Sequence, residues 1–229
     1  MDKRGPMPDP CRPMTQHDRR RSAGIQAAAA VLLLAIAAGC GAPEPLPTGA
    51  ERFLRLGSDG QPLAPATTGP HACVLDRVTG LTWEVMEARS GAGTYSWFSA
   101  DPATHASDPG VLDGGQCQLS SCDTAALVSS FNAAGYCGQS DWRLPNREEA
   151  LTLTARAPAG NPHVLDPEFF PDTISGEYWT GETFRLYPQS AWAFDTRTGL
   201  DRTDWKKNAK PVRLVRGVFD RASLKRHTR

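Results

Sequence analysis

The sequence predicts an α+β fold with two helices, a small twisted antiparallel sheet and long loops. Two helical patterns flank a sharp turn over residues 137–149. Elsewhere, apolar residues come in short alternating runs, and 21 Gly and 19 Pro indicate many turns. Since single domains usually hold about 100–200 residues, the 229 residues indicate one folded domain plus a linker.

Residues 1–39 are predicted to be a bacterial lipoprotein signal peptide. Arg19-Arg20-Arg21 precede the apolar run Ala27–Ala38, which is too short to span a membrane. The run ends at Ala37-Ala38-Gly39-Cys40, which resembles a lipobox, and cleavage there would leave Cys40 as an acylated first residue. A plain secretory signal, with Cys40 as an ordinary thiol, is the alternative.

Several acyl chains on Cys40 would hold the mature protein stably on a membrane. Gly41 stands where an inner-membrane retention signal has Asp, so we expect a lipid anchor at the outer membrane or cell surface. The periplasmic face is the alternative orientation. Residues 40–70 are rich in Pro, Gly, Ala and Thr, which predicts a flexible tether that could still contain a short strand around Phe53–Leu56.

The folded domain is predicted over residues 71–217. Cys73–Asp76 and Leu81–Val85 are short β-type runs separated by Thr79-Gly80, which predicts a hairpin or two successive edge strands. Three later apolar runs predict further strands: Tyr178–Thr180, Ala191–Asp195 and Pro211–Val215.

Helix signals flank the sharp turn. The first helix can start at a cap on Asp123 or Thr124, and Gly135 is suited to the left-handed residue that ends it. In the second helix Asn146 can cap, and Glu149 stands three residues on, from where its carboxylate reaches back in a capping box.

The turn between the helices carries the motif Asp141-Trp142-Arg143-Leu144-Pro145. Trp142 and Leu144 are large and apolar, which favours a packed architectural corner over a catalytic loop. Aromatic residues are likewise expected to anchor two long loops, over 88–115 and 158–176. These residues are Tyr95, Trp97, Phe98, Phe169 and Phe170.

Four cysteines lie in the predicted exported domain, and an even number in an oxidising compartment predicts two disulfides. Cys122 cannot pair with Cys137, because the first helix separates them by roughly 20 Å and a disulfide spans about 7 Å between Cα atoms. Two pairings stay open: Cys73–Cys137 with Cys117–Cys122, or Cys73–Cys122 with Cys117–Cys137. The first is favoured because its local pair closes a tight loop.

The net charge of zero conceals an uneven distribution. Residues 40–196 carry 19 acidic and 8 basic side chains, whereas residues 197–229 carry 11 Lys and Arg against 3 Asp. A basic end that neutralises an acidic body is the simpler interpretation, and a polyanion-binding patch is the alternative. Residues 218–229 are predicted to be a disordered basic tail that can meet anionic lipid. Nucleic acid is not expected as a partner.

Several short sequence segments, taken together and in order, resemble those of the Lcl C-terminal domain family. They cover about residues 72–217 and are Cys73–Glu84, Tyr136–Pro145, Tyr178–Thr180, Ala191–Asp195 and Pro211–Arg216. The resemblance implies a C-type-lectin-like fold whose sheet has its first and last strands as neighbours. It also implies surface attachment and binding of sulfated glycosaminoglycans, as in the collagen-like adhesin after which the family is named. This chain has no collagen repeat, so its oligomeric state stays open.

Sulfated sugars need cations and an aromatic face, which a basic cluster in the last third of the chain supplies. The candidate ligand-binding residues are Arg202, Trp205, Lys206, Lys207 and Lys210. The alternative places Trp205 in the core, with the cations around an exposed loop. We expect a membrane-anchored surface lipoprotein with a noncatalytic lectin-like binding domain; an envelope assembly protein that docks on another protein is the alternative.

No enzyme is predicted. The corner is similar to that of formylglycine-generating enzymes, but their chemistry needs a late reactive Cys pair, and no Cys follows Cys137. His71, His105 and His163 are scattered in loops without a paired nucleophile and are expected to be solvated.

No metal and no other cofactor is expected. The cysteines lack a zinc-type spacing, and the calcium-binding sugar loops of C-type lectins are absent from the sequence. Three acidic loop residues could hold calcium with carbonyl groups, although such residues usually cap turns: Asp166, Glu168 and Asp172.

Overall fold

The structure, a computed structural model, describes residues 46–65, 67, 69–85, 93–154, 164–171 and 173–228. The predicted signal peptide, Cys40, His163 and Asp172 lie outside them. The described helices are α1 (Gly49–Arg52), α2 (Pro102–His105), α3 (Thr124–Ala134), α4 (Arg147–Thr152) and α5 (Arg221–Thr228). The described strands are β1 (Phe53–Leu56), β2 (Cys73–Asp76), β3 (Thr82–Glu84), β4 (Glu177–Thr183), β5 (Ser190–Asp195), β6 (Asp201–Trp205) and β7 (Val215–Arg216).

These strands form two antiparallel sheets, which confirms the α+β class. One sheet has the order β1-β2-β3-β7 and the other β4-β5-β6. The prediction that the first and last strands are neighbours is wrong. The last strand, β7, pairs with β3 and places Val215 opposite Trp83, while β1 lies at the far edge of the sheet, beyond β2. The predicted run Pro211–Val215 supplies only a two-residue strand, and β6 was not predicted.

Both main helices have the predicted ends. The side chain of Asp123 accepts a hydrogen bond from the N–H of Ala126, and Gly135 ends α3 with a left-handed φ of 60°. At α4 the Asn146 and Glu149 side chains each accept from the other's backbone N–H, which completes the capping box.

The corner between the helices is packed, as predicted. Trp142 is buried, and Arg143 forms two hydrogen bonds, of 2.7 and 2.8 Å, to the carboxylate of Glu149. Asp141 pairs with Arg216 of β7, whose hydrogen bond lowers the pKa of the Asp141 carboxyl. The corner therefore ties α4 to the four-stranded sheet.

The disulfides are Cys73–Cys137 and Cys117–Cys122, the favoured of the two open pairings. The first joins β2 to the turn that follows α3. The second closes a short loop before that helix.

The predicted flexible tether over 40–70 is wrong for residues 49–52, while the short strand that it could contain around Phe53–Leu56 is present. These residues form α1 and β1, and β1 pairs with β2 along its full length. Arg52 is buried and donates to the buried Asp76 at 2.7 Å, while Phe53 lies in the core. The tether prediction failed because the partners of this segment lie far along the chain.

The predicted disordered tail over 218–229 is also wrong, for residues 221–228, which form α5. The carboxylate of Asp220 accepts from the N–H of Ser223 at 2.9 Å, and the N–H of Asp220 donates to the carbonyl of Thr79 at 2.8 Å. A side-chain cap and an anchor on the β2–β3 turn thus order a strongly charged helix.

Candidate functional site

Lys206, a predicted ligand-binding residue, is buried inside the domain. Its ammonium donates to the carbonyls of His105 and Asp108, at 3.2 and 2.5 Å, and lies 4.1 Å from the centre of the Trp97 ring. Burial lowers its pKa from 10.5 to about 8, against an opposing effect of the Asp108 charge. The predicted ligand role is wrong for Lys206, because its donors bind the loop after α2.

Lys210 is internal as well. It forms ion pairs of 2.7 Å with Glu177 and 2.6 Å with Asp204, and its ammonium lies 5.0 Å from the Trp179 ring centre. Its role is to join β4 to the end of β6. The ligand prediction is therefore wrong for Lys210 too.

Arg202 is exposed, but on the other face of the three-stranded sheet from the aromatic residues described below. It stands opposite Ala193 and lies 3.9 Å from the carboxylate of Asp195. Arg197 donates to the same carboxylate, and this hydrogen bond holds the pKa of Asp195 below its usual value.

Trp205 and Lys207 are the two predicted residues that share an open surface. Trp205 is 51% exposed, so the alternative that places it in the core is wrong. The ammonium of Lys207 lies 5.8 Å from its ring centre. The structure thus divides the predicted cluster into two internal cations, one cation on the opposite face and this pair.

Trp205 belongs to a group of aromatic side chains that we call the aromatic end: Phe184, Tyr187, Trp192 and Trp205. The Phe184 ring lies 5.8 Å from that of Tyr187 and 5.3 Å from that of Trp192. Trp192 stands opposite Thr203, and Trp205 opposite Ser190, so both Trp side chains point to the same face of the sheet. Tyr187 is 60% exposed.

Beside the aromatic end lies an open cavity of about 380 Å³, which we call the Trp192 cavity. The guanidinium of Arg147 lies 3.9 Å from the Trp192 ring centre and pairs with Asp201. Glu148 pairs with Arg221 of α5 at 2.7 Å. The charged and aromatic lining residues are Arg147, Glu148, Glu182, Trp192 and Arg221.

An aromatic floor beside carboxylates and guanidinium groups can hold a polar ring-shaped ligand by stacking and by hydrogen bonds. The sequence-based prediction does not include Phe184, Tyr187 or Arg147, and it places Trp192 only in a strand. One signal was present: in Ala191-Trp192-Ala193 the large residue alternates with small ones, so it lies on the opposite face.

The acidic loop candidates do not assemble a cation site within the described residues. Glu168 pairs with Arg55 at 2.8 Å, and Asp166 accepts from the N–H of Glu168 at 3.0 Å. Across the described ranges, no three His, Cys, Asp or Glu residues are grouped so that they could hold a metal ion.

Of the three histidines that the sequence analysis singled out, His71 and His105 lie in the described residues. His71 is buried rather than solvated, with its Nε2 2.9 Å from the carbonyl oxygen of Phe169. His105 ends α2 and is partly buried, and its Nδ1 accepts from the N–H of Ser107 at 3.2 Å.

A family model described as the Lcl C-terminal domain matches residues 72–216, more than half of the chain. The chain belongs to the Lcl C-terminal domain family. No curated protein matches it. The Lcl match contains the whole aromatic end, whereas α1, β1 and α5 lie outside it. In the described part of the chain, no helix has the length and apolar character needed to cross a membrane.

Proposed function

We propose that the protein is a noncatalytic binding module, carried by a membrane-anchored lipoprotein, which takes glycan chains at the aromatic end. The observation that carries the proposal is the group of four aromatic side chains, two on one face of the three-stranded sheet and two in the β4–β5 connection, with Tyr187 and Trp205 60% and 51% exposed. Soluble domains seldom leave such rings grouped and exposed unless they bind something.

Sugar rings suit this surface because they combine apolar C–H faces with hydroxyl groups at their edges. The aromatic rings offer flat apolar area, and the carboxylates of Glu148 and Glu182 can accept hydrogen bonds from hydroxyls. Both carboxylates already receive a donor, from Arg221 and from the backbone N–H of Arg147.

The membrane anchor is proposed from the lipobox at Cys40. Leu46 is already buried in the domain, and only five residues lie between it and Cys40, so the two are at most roughly 20 Å apart along an extended chain. A domain held so close to the outer membrane would bind ligands at or near that surface.

Retention on immobilised polysaccharides, both uncharged and sulfated, tests the function. We expect the full chain in detergent to be retained on at least one of them, and Tyr187→Ala and Trp205→Ala to weaken retention. Leu200→Ala, which removes a 60% exposed apolar side chain elsewhere, is the matched control. Retention that survives both aromatic substitutions would refute the assignment of the site.

Docking on another envelope protein is the second candidate, favoured by the 78% exposure of Leu186 beside Tyr187. An aliphatic side chain contributes more to a protein interface than to sugar stacking. Leu186→Ser separates the candidates: a docking surface loses its partner, whereas polysaccharide retention stays unchanged.

A further inference from the structure

We infer that the aromatic end and the Trp192 cavity take uncharged hexopyranose chains, and not the sulfated chains that the family resemblance implies. The inference rests on the proposed function. It follows from where the cations of the predicted cluster lie and from which charges line the site.

Sulfated chains are held by cations that are free to pair with sulfate. Lys206 and Lys210 are internal, and their donors are already bound to carbonyls and carboxylates. Arg202 lies on the opposite sheet face, near Asp195. Three of the four predicted cations are therefore outside the aromatic surface.

The two guanidinium groups in the cavity are also engaged. Arg147 pairs with Asp201 and stacks on Trp192, and Arg221 pairs with Glu148. The carboxylate beside each guanidinium offsets its positive charge, which weakens its attraction for a sulfate.

The nearby cations without a carboxylate partner among the described residues are Lys207 and Arg185. Lys207 lies against the Trp205 ring, and Arg185 donates to the carbonyl of Ala103 at 3.3 Å. Two single cations do not form the contiguous basic track that a polyanion needs. The exposed carboxylates of Glu148 and Glu182 would repel sulfate but accept hydrogen bonds from sugar hydroxyls.

The arrangement of the rings favours an extended chain over a single sugar. Phe184 follows β4, Trp192 lies in β5 and Trp205 ends β6, so the rings form a row across three neighbouring strands. The Trp192 cavity, at about 380 Å³, continues this row towards α5 and lies within the range of small-ligand pockets, about 300–1,000 Å³.

Affinity electrophoresis of the full chain in detergent tests the ligand class. The probes are an α-glucan, a β-glucan and a galactomannan, with heparin beside them, each at about 0.05 and 0.5 M salt. We expect at least one uncharged polysaccharide to retard the protein equally at both salt concentrations. Tyr187→Ala and Trp205→Ala should each weaken this binding about tenfold, while the double variant Arg202→Ser/Lys207→Ser stays within about twofold.

Heparin binding that decreases with salt, disappears in the Arg202→Ser/Lys207→Ser variant and exceeds binding to every uncharged probe would overturn the ligand class. The proposed function would survive that outcome. Failure of all four probes to bind would overturn both. Thermal unfolding of each variant shows whether it remains folded, and the two aromatic positions are suited to substitution because both side chains are largely exposed.

Discussion

At the residue scale, the buried ammonium of Lys206 stabilises the structure around the aromatic end. Lys206 directly follows Trp205, and its ammonium joins this turn to the carbonyls of His105 and Asp108. The ammonium also lies 4.1 Å from the centre of the Trp97 ring, close enough for a cation–π contact. Lys206 therefore stabilises the end of β6, where Trp205 lies, by tying it to residues 105–108.

The lowered pKa of Lys206 predicts a specific pH dependence of stability. Its pKa is about 8 in the folded protein and 10.5 when solvated, so between these values the unfolded chain binds more protons. The free energy of unfolding should therefore rise with pH across this window because of Lys206. Urea unfolding from about pH 8 to 10 should show this rise in the parent relative to Lys206→Met. Identical pH profiles for the two proteins would contradict the burial of a charged Lys206.

At the element scale, the two terminal additions to the family domain are integral to the fold. The first, α1 with β1, completes the edge of the four-stranded sheet and brings Arg52 to Asp76 inside the domain. The second, α5, borders the Trp192 cavity through Arg221. The family match runs from residue 72 to residue 216, so one addition precedes it and the other follows it.

The buried ion pair of Arg52 in α1 should contribute far more to the free energy of unfolding than the exposed ion pair of Arg221 in α5. Arg52→Ala leaves the Asp76 carboxylate buried without its guanidinium partner and should lower the free energy of unfolding by about 3–5 kcal/mol. Arg221→Ala breaks the solvent-exposed pair with Glu148 and should cost about 0–1 kcal/mol. Chemical denaturation of both variants makes the comparison. Equal losses would mean that the segment before residue 53 is not packed as described.

At the scale of the whole molecule, the two sheets carry different features. The four-stranded sheet receives the N-terminal segment and holds the first disulfide through Cys73, while the three-stranded sheet presents the aromatic end. Two hydrophobic clusters stabilise this arrangement, one around Trp83 and Phe170 and the other around Trp97 and Trp179. The site is thus built on a framework rather than on a free loop.

Features set by neighbours in the sequence could be predicted, and features set by distant partners could not. The caps at Asp123 and Asn146 and the closure of Cys117 with Cys122 depend on a few adjacent residues. Lys206 meets carbonyls about a hundred positions earlier in the chain, which no local pattern reports.

The aromatic end was missed for a related reason. Phe184 and Trp192 are large apolar residues of the kind that usually lie in a core. Only the register of β4, β5 and β6 shows which face of the sheet remains open.

The most direct test of the binding surface follows the six tryptophans by the NMR signals of their indole N–H groups during titration with an uncharged oligosaccharide. We expect shifts for Trp192 and Trp205 alone, because the other four are buried: Trp83, Trp97, Trp142 and Trp179. Shifts at Trp97, which lines a separate groove beside α3, with Trp205 unchanged would contradict the account and move the site to that groove.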